Sequence, residues 1–395
     1  MELMNIWNCE KRPLTELLST IIDNRGKTVP TVDNGRILIA TNCVTNNTLF
    51  PIYEKVRFIS DEIYHTWFRG HPTPGDILFV NKGTPGRVCL VPDPIDFSIA
   101  QDMIALRADD TKVYNKYLLA VLRSDRIQRQ IYNTSVGDVI PHFKKQFLNQ
   151  LLIPIPDRKV QEFIGDLYYN LSYKVEHNNR INHNLEQQAQ ALFSHWLNNC
   201  EDKVAISELC DNILDYTPIT AKRVVALNSS DVTEGVFAEL SYTPISEIKG
   251  QFKKRFEKGD ILYSEIRPRN LHYAYCYFNP MDYIASTRLM VIRSKSEKLY
   301  SSVMLYQYLQ MPKVFEEFTS KTESRSGTFP QGNFKDLSSS IVPYSGDNEE
   351  ISIILESLYK LIWKNIDENK SLSSLRDSLL PILMSGELKI NDLTC

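Results

Sequence analysis

The sequence repeats itself once, at intervals of 184 to 192 residues. Three pairs of segments match in the same order: LTELLSTIID at 14–23 with ISELCDNILD at 206–215, GDIL at 75–78 with GDIL at 259–262, and prolines thirteen residues apart at 141 and 154 with prolines at 330 and 343. The small drift between the intervals is typical of two copies of one domain whose loops differ in length. A chain of 395 residues is long enough for two such domains.

Each copy begins with short runs of β-branched and aromatic residues that are bounded by Gly, Pro, Asn and Asp, a pattern that predicts strands. These runs are GRILIATN, GDILFV, GRVCLVP and MIALRA in the first copy, and VVALNS, GDILYSEI, HYAYCYF and RLMVIRS in the second. One helix is expected next in each copy, at 116–132 and at 303–318. A loop rich in Gly and Pro then leads to a short apolar stretch, LLIPIP or SSIVPY.

Each copy ends in a segment whose apolar residues recur at steps of three and four. The apolar positions are Ile164, Leu167, Leu171, Ile181, Leu185 and Leu192 in the first copy, and Ile351, Leu355, Leu358, Ile362, Leu372, Leu379 and Leu383 in the second. Polar residues interrupt both stripes: Lys174, Asn178 and Gln188, then Asn365, Asn369 and Arg376. A helix of nearly 40 residues with one apolar stripe needs a partner helix, and Asp157 and Asp347 are the expected N-caps.

These patterns predict an α+β fold with two pseudo-repeated β-rich domains separated by a long antiparallel two-helix coiled coil. The predicted domains span 1–155 and 201–345, and the predicted helical segments span 156–200 and 346–395. Ordinary core helices within each domain are the alternative interpretation of the two apolar stripes.

The composition argues against several classes of protein. Lys and Arg number 45 against 48 Asp and Glu, and the net charge of −3 argues against a free-standing, non-specific nucleic-acid binder. The seven cysteines are scattered and never spaced C-x-x-C, which excludes a Cys-rich zinc site and fits a reducing cytoplasm. We find no apolar run long enough to span a bilayer and no signal-peptide core, so a cytoplasmic location without membrane attachment is expected.

Motifs of catalysis are mostly missing. The sequence has no P-loop, no G-x-G-x-x-G and no H-E-x-x-H, and we predict no metal site. Asn279–Tyr283 (NPMDY) is similar to the N-P-P-Y tetrad of adenine methyltransferases, but a turn between two strands accounts for it better. Asp93, Asp110 and Lys112 follow a loose PD…DxK pattern, so a Mg²⁺-dependent DNA nuclease is kept as an alternative function.

Two helical segments resemble one family. EHNNRINHNLEQQAQALFSHWL (Glu176–Leu197) is similar to the central segment of specificity (S) subunits of type I restriction–modification systems, and SLRDSLLPILMSGEL (Ser374–Leu388) is similar to their C-terminal segment. The GDIL strands and the loops Gly137–Phe143 and Gly327–Phe334 lie where target-recognition domains of that family carry similar stretches. The resemblance extends over essentially the whole chain and is weakest inside the β-rich domains.

The resemblance implies a non-catalytic subunit for DNA recognition. Each β-rich domain would recognise one half of a split asymmetric site on double-stranded DNA, and the helices would dock two methyltransferase subunits. No cofactor is implied for this chain, whereas S-adenosylmethionine, ATP and Mg²⁺ are expected on partner subunits, including a restriction and translocation subunit where one exists. A coiled-coil scaffold without a DNA role is a second alternative.

Base contacts are expected from polar and basic side chains on loops, because these residues discriminate base edges in the major groove. The candidates are Asn81, Lys82, Arg87, Ser135, His142, Lys144 and Lys145 in the first copy, and Arg267, Arg269, Asn270, His272, Arg288, Arg325, Ser326 and Lys335 in the second. The best single candidate is IRPRN (Ile266–Asn270), because two arginines and an asparagine follow a strand beside a proline. Methyltransferase docking is predicted at Arg180, Glu186, Gln187 and Trp196, and packing between helix and domain is the alternative for Trp196.

Overall fold

A computed structural model describes residues 5–24, 26–135, 140–323 and 331–387 of the chain. The chain divides into two compact units. Unit 1 comprises Met1–Arg180 and Ile366–Cys395, and unit 2 comprises Ile181–Asn365. Each of the two long helices therefore begins in one unit and ends in the other.

Unit 1 contains three sheets and the beginning of the first long helix. Its elements are β1 (Lys11–Pro13), β2 (Leu18–Asp23), β3 (Arg36–Ile39), β4 (Arg57–Ile59), α1 (Asp61–Thr66), β5 (Ile77–Val80), β6 (Val88–Leu90), β7 (Phe97–Ile99), β8 (Met103–Ala108), α2 (Asn115–Arg123), α3 (Asp125–Ser135), β9 (Leu152–Pro154) and α4 (Arg158–Asn198). The sheets have the strand orders β2-β8-β5-β6, β4-β3-β7 and β1-β9.

Unit 2 begins within α4 and ends within the second long helix. Its further elements are β10 (Asp202–Ala205), α5 (Ile206–Leu209), β11 (Cys210–Asn212), β12 (Arg223–Leu227), β13 (Val232–Thr233), β14 (Val236–Phe237), β15 (Thr243–Pro244), β16 (Phe252–Lys254), β17 (Ile261–Ser264), β18 (Tyr273–Tyr275), β19 (Tyr283–Ser286), β20 (Leu289–Ser294), α6 (Ser302–Leu309), α7 (Pro312–Glu323), α8 (Phe334–Ser338), β21 (Ile341–Tyr344) and α9 (Glu349–Ser385).

Strand order confirms the duplication. The antiparallel sheet β2-β8-β5-β6 of unit 1 returns in unit 2 as β11-β20-β17-β18, and the GDIL motif opens the third strand of both. The only parallel pairs among the described strands, β3 with β7 and β12 with β19, also occupy the same place in the two units. The eight runs that were predicted as strands all contain or overlap one.

Alternation along the strands explains how each four-stranded sheet is packed. In β5, Ile77 and Phe79 join the core cluster that includes α2 and α4, whereas Leu78 and Val80 face a second cluster with β3 and β7. A sheet with apolar residues on both faces must be covered on both faces. The helices and the smaller sheet provide this cover in unit 1, which places the loops at the strand ends on the surface.

The single helices expected at 116–132 and 303–318 are each divided in two. Ser124 has an extended backbone, with φ of −65° and ψ of 144°, and ends α2 before α3 begins. In unit 2, α6 ends at Leu309 and α7 begins at Pro312, whose ring cannot continue the hydrogen-bond ladder of a preceding helix. The predicted turn at Asn279–Tyr283 is confirmed, because the Tyr283 N–H donates to the Pro280 carbonyl between β18 and β19.

The long helices α4 and α9 pack together within each unit. In unit 1, Asn178 Nδ2 donates to Glu368 Oε2 at 2.8 Å and to Asn369 Oδ1 at 2.9 Å. In unit 2, Asn365 Nδ2 donates to Asn182 Oδ1 at 2.8 Å. The predicted seam residues Asn178, Asn365 and Asn369 therefore contact the partner helix. Gln188, which was predicted at the same seam, is exposed instead.

The apolar stripe predicted for α4 is partly wrong. Leu192 is 42% exposed, whereas Tyr168, Ser172 and Asn182 are buried, the first two four residues apart and the third ten residues further along the helix. An aromatic and two small polar residues fill these contact positions, so a search for aliphatic residues misses them. The N-cap expected at Asp347 is also displaced, because α9 begins at Glu349. Among the described helices, none combines the length and apolarity needed to cross a bilayer.

Candidate functional site

Unit 1 brings three surface segments together where strand β5 ends. Lys82 and His142 form an antiparallel β-bridge, and the Phe143 N–H donates to the Asn81 carbonyl at 2.8 Å. The N–H groups of Asn81 and Lys82 both donate to the carbonyl of Asp102, which lies in the turn before β8. We call this arrangement, residues 81–83, Asp102 and 141–143, the loop junction of unit 1.

Unit 2 has a loop junction at the equivalent place, formed by residues 265–266, Arg288 and 331–332. Ile266 and Gln331 form the β-bridge, and the Gly332 N–H donates to the Glu265 carbonyl at 2.8 Å. The Glu265 N–H in turn donates to the carbonyl of Arg288 at 2.9 Å. The two junctions therefore share one backbone arrangement, and their intervals agree with those of the sequence repeat.

Different side chains occupy equivalent positions of the two junctions. Asn81 corresponds to Glu265, and His142 corresponds to Gln331. Glu265 lies 3.9 Å from the buried Nζ of Lys254, which donates to the Leu289 carbonyl at 2.7 Å. Burial raises the pKa of Glu265 and lowers the pKa of Lys254, although each charge opposes the shift of the other.

Unit 1 carries buried polar atoms beside its junction. Asn81 Oδ1 and Gln101 Oε1 are buried and have no hydrogen-bond partner among the described residues. A buried acceptor without a partner is costly in a folded protein, so a donor from a bound molecule would be stabilising there. The junction of unit 1 can thus accept hydrogen bonds as well as offer the positive charge of Lys82.

The other candidates in unit 1 lie around the junction, with one exception. Arg87 and Lys144 are exposed, and Lys145 Nζ forms an ion pair with Asp23 at 3.3 Å. Ser135 differs, because it is buried at the end of α3 and donates its hydroxyl to the Ile131 carbonyl of the same helix. Ser135 therefore lies on a helix and not on a recognition loop.

The candidates in unit 2 form a second polar surface after β17. Arg267 has a left-handed backbone with φ of 48°, Arg269 binds Glu323 through two hydrogen bonds of 2.7 and 2.8 Å, and Asn270 is exposed. His272 Nδ1 lies 2.8 Å from the Thr233 hydroxyl. Arg288 and Lys335 are exposed, whereas Arg325 and Ser326 lie outside the described residues.

Sequence reasoning missed Glu265 and Gln331. Both lie within segments that had been singled out, GDILYSEI and the loop Gly327–Phe334. Aligning the two copies on GDIL would have paired Asn81 with Glu265 and exposed the difference. The sequence prediction included only basic and neutral polar side chains. It therefore excluded Glu265, whose carboxylate can accept a hydrogen bond from a base.

The residues predicted to dock partner subunits lie on α4 in two environments. Arg180 and Gln187 are exposed and contact residues of their own helix, Glu176 at 3.4 Å and His183 at 3.1 Å. Glu186 is also exposed by surface area, although nearby protein removes enough water to raise its pKa. Trp196 packs parallel to Phe193 with ring centroids 5.8 Å apart, and its indole N–H donates to the Asp347 carbonyl. The contacts of Trp196 are those of packing between helix and domain.

The nuclease alternative finds no support in the geometry. Asp110 binds Arg158 at 2.9 Å, and Lys112 binds Asp109 at 2.9 Å. Within residues 5–24, 26–135, 140–323 and 331–387, no three His, Cys, Asp or Glu side chains are grouped closely enough to hold a metal ion. The pattern of Asp93, Asp110 and Lys112 is thus explained by surface ion pairs and a loop.

Known proteins are similar to both copies. The sequence model of the type I restriction modification DNA specificity domain matches residues 27–187 and 225–371, more than half of the chain. The specificity subunit of the type I restriction enzyme HindI from Haemophilus influenzae is 34% identical over 158 residues, which is 40% of this chain and 34% of that protein. The MjaIX specificity subunit of Methanocaldococcus jannaschii is 21% identical over 351 residues, 81% of this chain and 79% of that protein.

The fold is similar to that of a solved structure. The S subunit of a type I restriction–modification system from M. genitalium aligns with a TM-score of 0.55 and 16% identity, over 94% of this chain and 95% of that chain. At this identity the likeness concerns the fold: two mixed domains and long helices that pack together.

Proposed function

The chain belongs to the type I restriction–modification DNA specificity family, so it is a DNA specificity protein, and we propose that each unit reads one half of a two-part DNA sequence. Specificity is a binding function without catalysis, and specificity subunits of these systems act with DNA and with other subunits of a complex. A scaffold without a DNA role does not agree with this family, and neither does a nuclease.

The observation that carries the proposal is the repeated loop junction. One β-bridge and two backbone hydrogen bonds are the same in the two units, whereas the side chains Asn81 and His142 are replaced by Glu265 and Gln331. Two domains that read different DNA sequences are expected to share a backbone arrangement and to differ in the polar side chains on it. The half-sites should therefore differ from each other.

Base-edge chemistry gives each junction a preference. Asparagine and glutamine can bind adenine through two hydrogen bonds, and a carboxylate can accept a hydrogen bond from the amino group of cytosine. Asn81 in unit 1 and Gln331 in unit 2 suit adenine, and Glu265 suits cytosine. Exposed basic residues nearby, such as Arg87, Lys144 and Arg288, would bind phosphates and fix the register of each unit on the duplex.

The chemistry of modification is assigned to partner subunits. We propose that two methyltransferase subunits dock on this chain and supply S-adenosylmethionine, and that a restriction subunit with ATP and Mg²⁺ joins where one exists. The net charge of −3 supports this division, because a weakly charged reader needs partners to supply much of the phosphate contact. A cytoplasmic location is proposed with it, since the complex must reach chromosomal DNA.

The test is to map methylated bases genome-wide in cells that carry the chain and its methyltransferase. The unmodified chain should direct methylation to one two-part asymmetric sequence. Asn81→Ala should relax one half of that sequence, and Glu265→Ala should relax the other half. Asn34→Ala and Glu239→Ala, on exposed residues that are not part of either junction, are matched controls that should leave the methylated sequence unchanged.

Two results would overturn the proposal. Methylation without a two-part sequence would contradict the assignment of one half-site to each unit. Loss of both halves on substitution of Asn81 alone, with the protein still folded by circular dichroism, would place recognition elsewhere.

A further inference from the structure

A buried lysine lies beside the loop junction of unit 2. Lys254 is the last residue of β16, and its side chain is buried. Its Nζ donates a hydrogen bond of 2.7 Å to the carbonyl of Leu289 and lies 3.9 Å from Oε1 of Glu265. A buried ammonium group is costly unless an opposite charge compensates it, and here the carboxylate of a junction residue does so.

The corresponding positions of unit 1 are neutral. At the interval of 184 residues that separates the two GDIL motifs, Glu265 corresponds to Asn81 and Lys254 corresponds to Gly70. The strand that carries Lys254 is an addition to its sheet, because the order β15-β12-β19-β16 of unit 2 corresponds to β4-β3-β7 among the described strands of unit 1. An acidic junction residue is thus accompanied by a buried cation, whereas a neutral one is accompanied by glycine.

Burial raises the pKa of Glu265, and side chains from three other segments oppose that shift. Lys254 lies on β16, Arg288 lies in the turn before β20, and Gln331 donates a side-chain hydrogen bond to the carboxylate. Arg288 is exposed, so water and salt screen its charge, whereas the charge of buried Lys254 is screened much less. The ionisation of Glu265 therefore depends more on Lys254 than on Arg288.

Ionisation decides which base edges Glu265 can bind. A carboxylate only accepts hydrogen bonds, whereas a protonated carboxyl group also donates one. In the major groove the amino groups of cytosine and adenine donate, and guanine O6 and thymine O4 accept. Ionised Glu265 therefore selects a base with an amino group, and protonated Glu265 would also bind a base that presents an acceptor.

We propose that Lys254 is a positioning residue for base recognition, which keeps Glu265 ionised so that unit 2 prefers an amino-bearing base at one position of its half-site. The proposal rests on the proposed function of Glu265 and deepens it by naming the residue that sets its preference. Lys254 acts through Glu265 and needs no contact with DNA. Its bond to Leu289 also supports the turn whose Arg288 carbonyl accepts the N–H of Glu265.

The test measures base preference at the position that Glu265→Ala relaxes. The complex of this chain with its methyltransferase is offered four competing duplexes that differ only in that base pair. The unmodified chain should keep its preference from about pH 6 to about pH 9, because Lys254 holds the charge of Glu265. Lys254→Met should lose about tenfold of the preference at about pH 6 and regain it at about pH 9, because loss of the cation raises the pKa of Glu265.

Two further variants and one control separate charge from structure. Lys254→Gln removes the charge but keeps a donor for the Leu289 carbonyl, and it should show the same dependence on pH. Lys253→Met removes an exposed charge one residue away and should leave the base preference unchanged at both pH values. When Glu265→Gln is already present, Lys254→Met should not change the preference further, because the side chain at position 265 then has no ionisation to maintain.

Each outcome decides a specific point. An unchanged preference in Lys254→Met and Lys254→Gln at both pH values would overturn the role of Lys254 and leave the proposed function of Glu265 intact. An equal loss at both pH values, or the same loss with and without Glu265→Gln, would show that Lys254 only supports the fold, which also overturns the inference. If Glu265→Ala relaxes no position of the site, the proposed function of Glu265 fails and the inference fails with it.

Discussion

Arg293 binds the buried carboxylate of Asp260 through two parallel N–H···O bonds, from Nε to Oδ1 at 2.6 Å and from Nη2 to Oδ2 at 2.8 Å. Unit 1 has the same pair between Arg107 and Asp76, at 2.8 and 2.9 Å. Each aspartate belongs to a GDIL motif and also accepts the backbone N–H of the residue three positions earlier. The repeated motif is therefore a turn that a buried carboxylate holds in place.

Asp76→Ala and Asp260→Ala should each destabilise the protein by about 1–3 kcal/mol, because the partly exposed arginine loses its partner and the backbone N–H of the turn loses its acceptor. The two losses should be similar, since the geometry is the same. Urea unfolding of the full chain measures both. Asp125→Ala breaks an exposed pair with Arg129 and should cost less than about 1 kcal/mol. A loss that small at Asp260 would contradict the role given to the buried pair.

Glu265 should make stability depend on pH. Because burial raises its folded pKa above the ordinary 4.5, the stability associated with this group is fully present below that value and is lost as pH rises through the folded pKa. Glu265→Gln removes the ionisation and should raise the melting temperature at neutral pH, but not below pH 4.5. The exposed control Glu239→Gln should leave the melting temperature at neutral pH unchanged. A Glu265→Gln difference that grows on acidification would reverse the sign and refute the explanation.

The contact between Asn178 and Asn369 should show strong coupling. Asn178 is 1% exposed, so Asn369→Leu should leave one of its amide hydrogens without a partner and cost about 1–3 kcal/mol. The double variant Asn178→Leu, Asn369→Leu replaces both polar groups and should regain most of that loss. A double-mutant cycle by urea unfolding measures the coupling, for which we expect at least about 0.5 kcal/mol. Additive effects would show that the two amides do not stabilise each other.

Arg376 should be needed for the stability of unit 1. Its side chain is buried, binds Asp377 at 2.8 Å and lies 5.7 Å from the Tyr168 ring centroid. Arg376→Ala removes packing and charge together and should cost about 2–4 kcal/mol in urea unfolding. Arg376→Lys keeps the charge but loses the planar guanidinium, so it should recover only part of the loss. Full recovery in the lysine variant would show that charge alone matters.

The duplication and the strands could be predicted from the sequence because both are local patterns. GDIL and the β-branched runs can each be recognised within a few residues, and the strand order repeats together with the motif. The break between α2 and α3 was missed because it depends on the extended backbone of Ser124, a residue that many helices tolerate. Ser124 followed by Asp125 is nevertheless typical of a helix start, so a second helix beginning there could have been predicted.

The loop junctions could be predicted only in part, because they join segments that are distant in sequence. Asn81, Lys82 and His142 were singled out separately, and the bridge that brings Lys82 to His142 is a tertiary contact. The buried environment of Glu265 depends on Lys254, which lies between Lys253 and Arg255 in the sequence, and a run of three cations does not indicate that one of them is buried. Pairing and burial of this kind follow from the fold and not from the residue types.

Arg267 and Arg269 should contribute to one half-site only. Replacing both with alanine should weaken discrimination at the half-site of unit 2 by about 1–3 kcal/mol for each lost base contact and leave the other half-site intact. Competition binding of the methyltransferase complex to duplexes with single base-pair substitutions measures this at each position. The ion pair of Arg269 with Glu323 is exposed, so DNA can displace the carboxylate at little cost. Glu323→Ala therefore serves as the control, because it removes the ion pair and keeps the guanidinium, and specificity should be unchanged. Equal losses at both half-sites would contradict the assignment of one half-site to each unit. Loss of specificity in Glu323→Ala would show that recognition requires the ion pair and not a contact between Arg269 and a base.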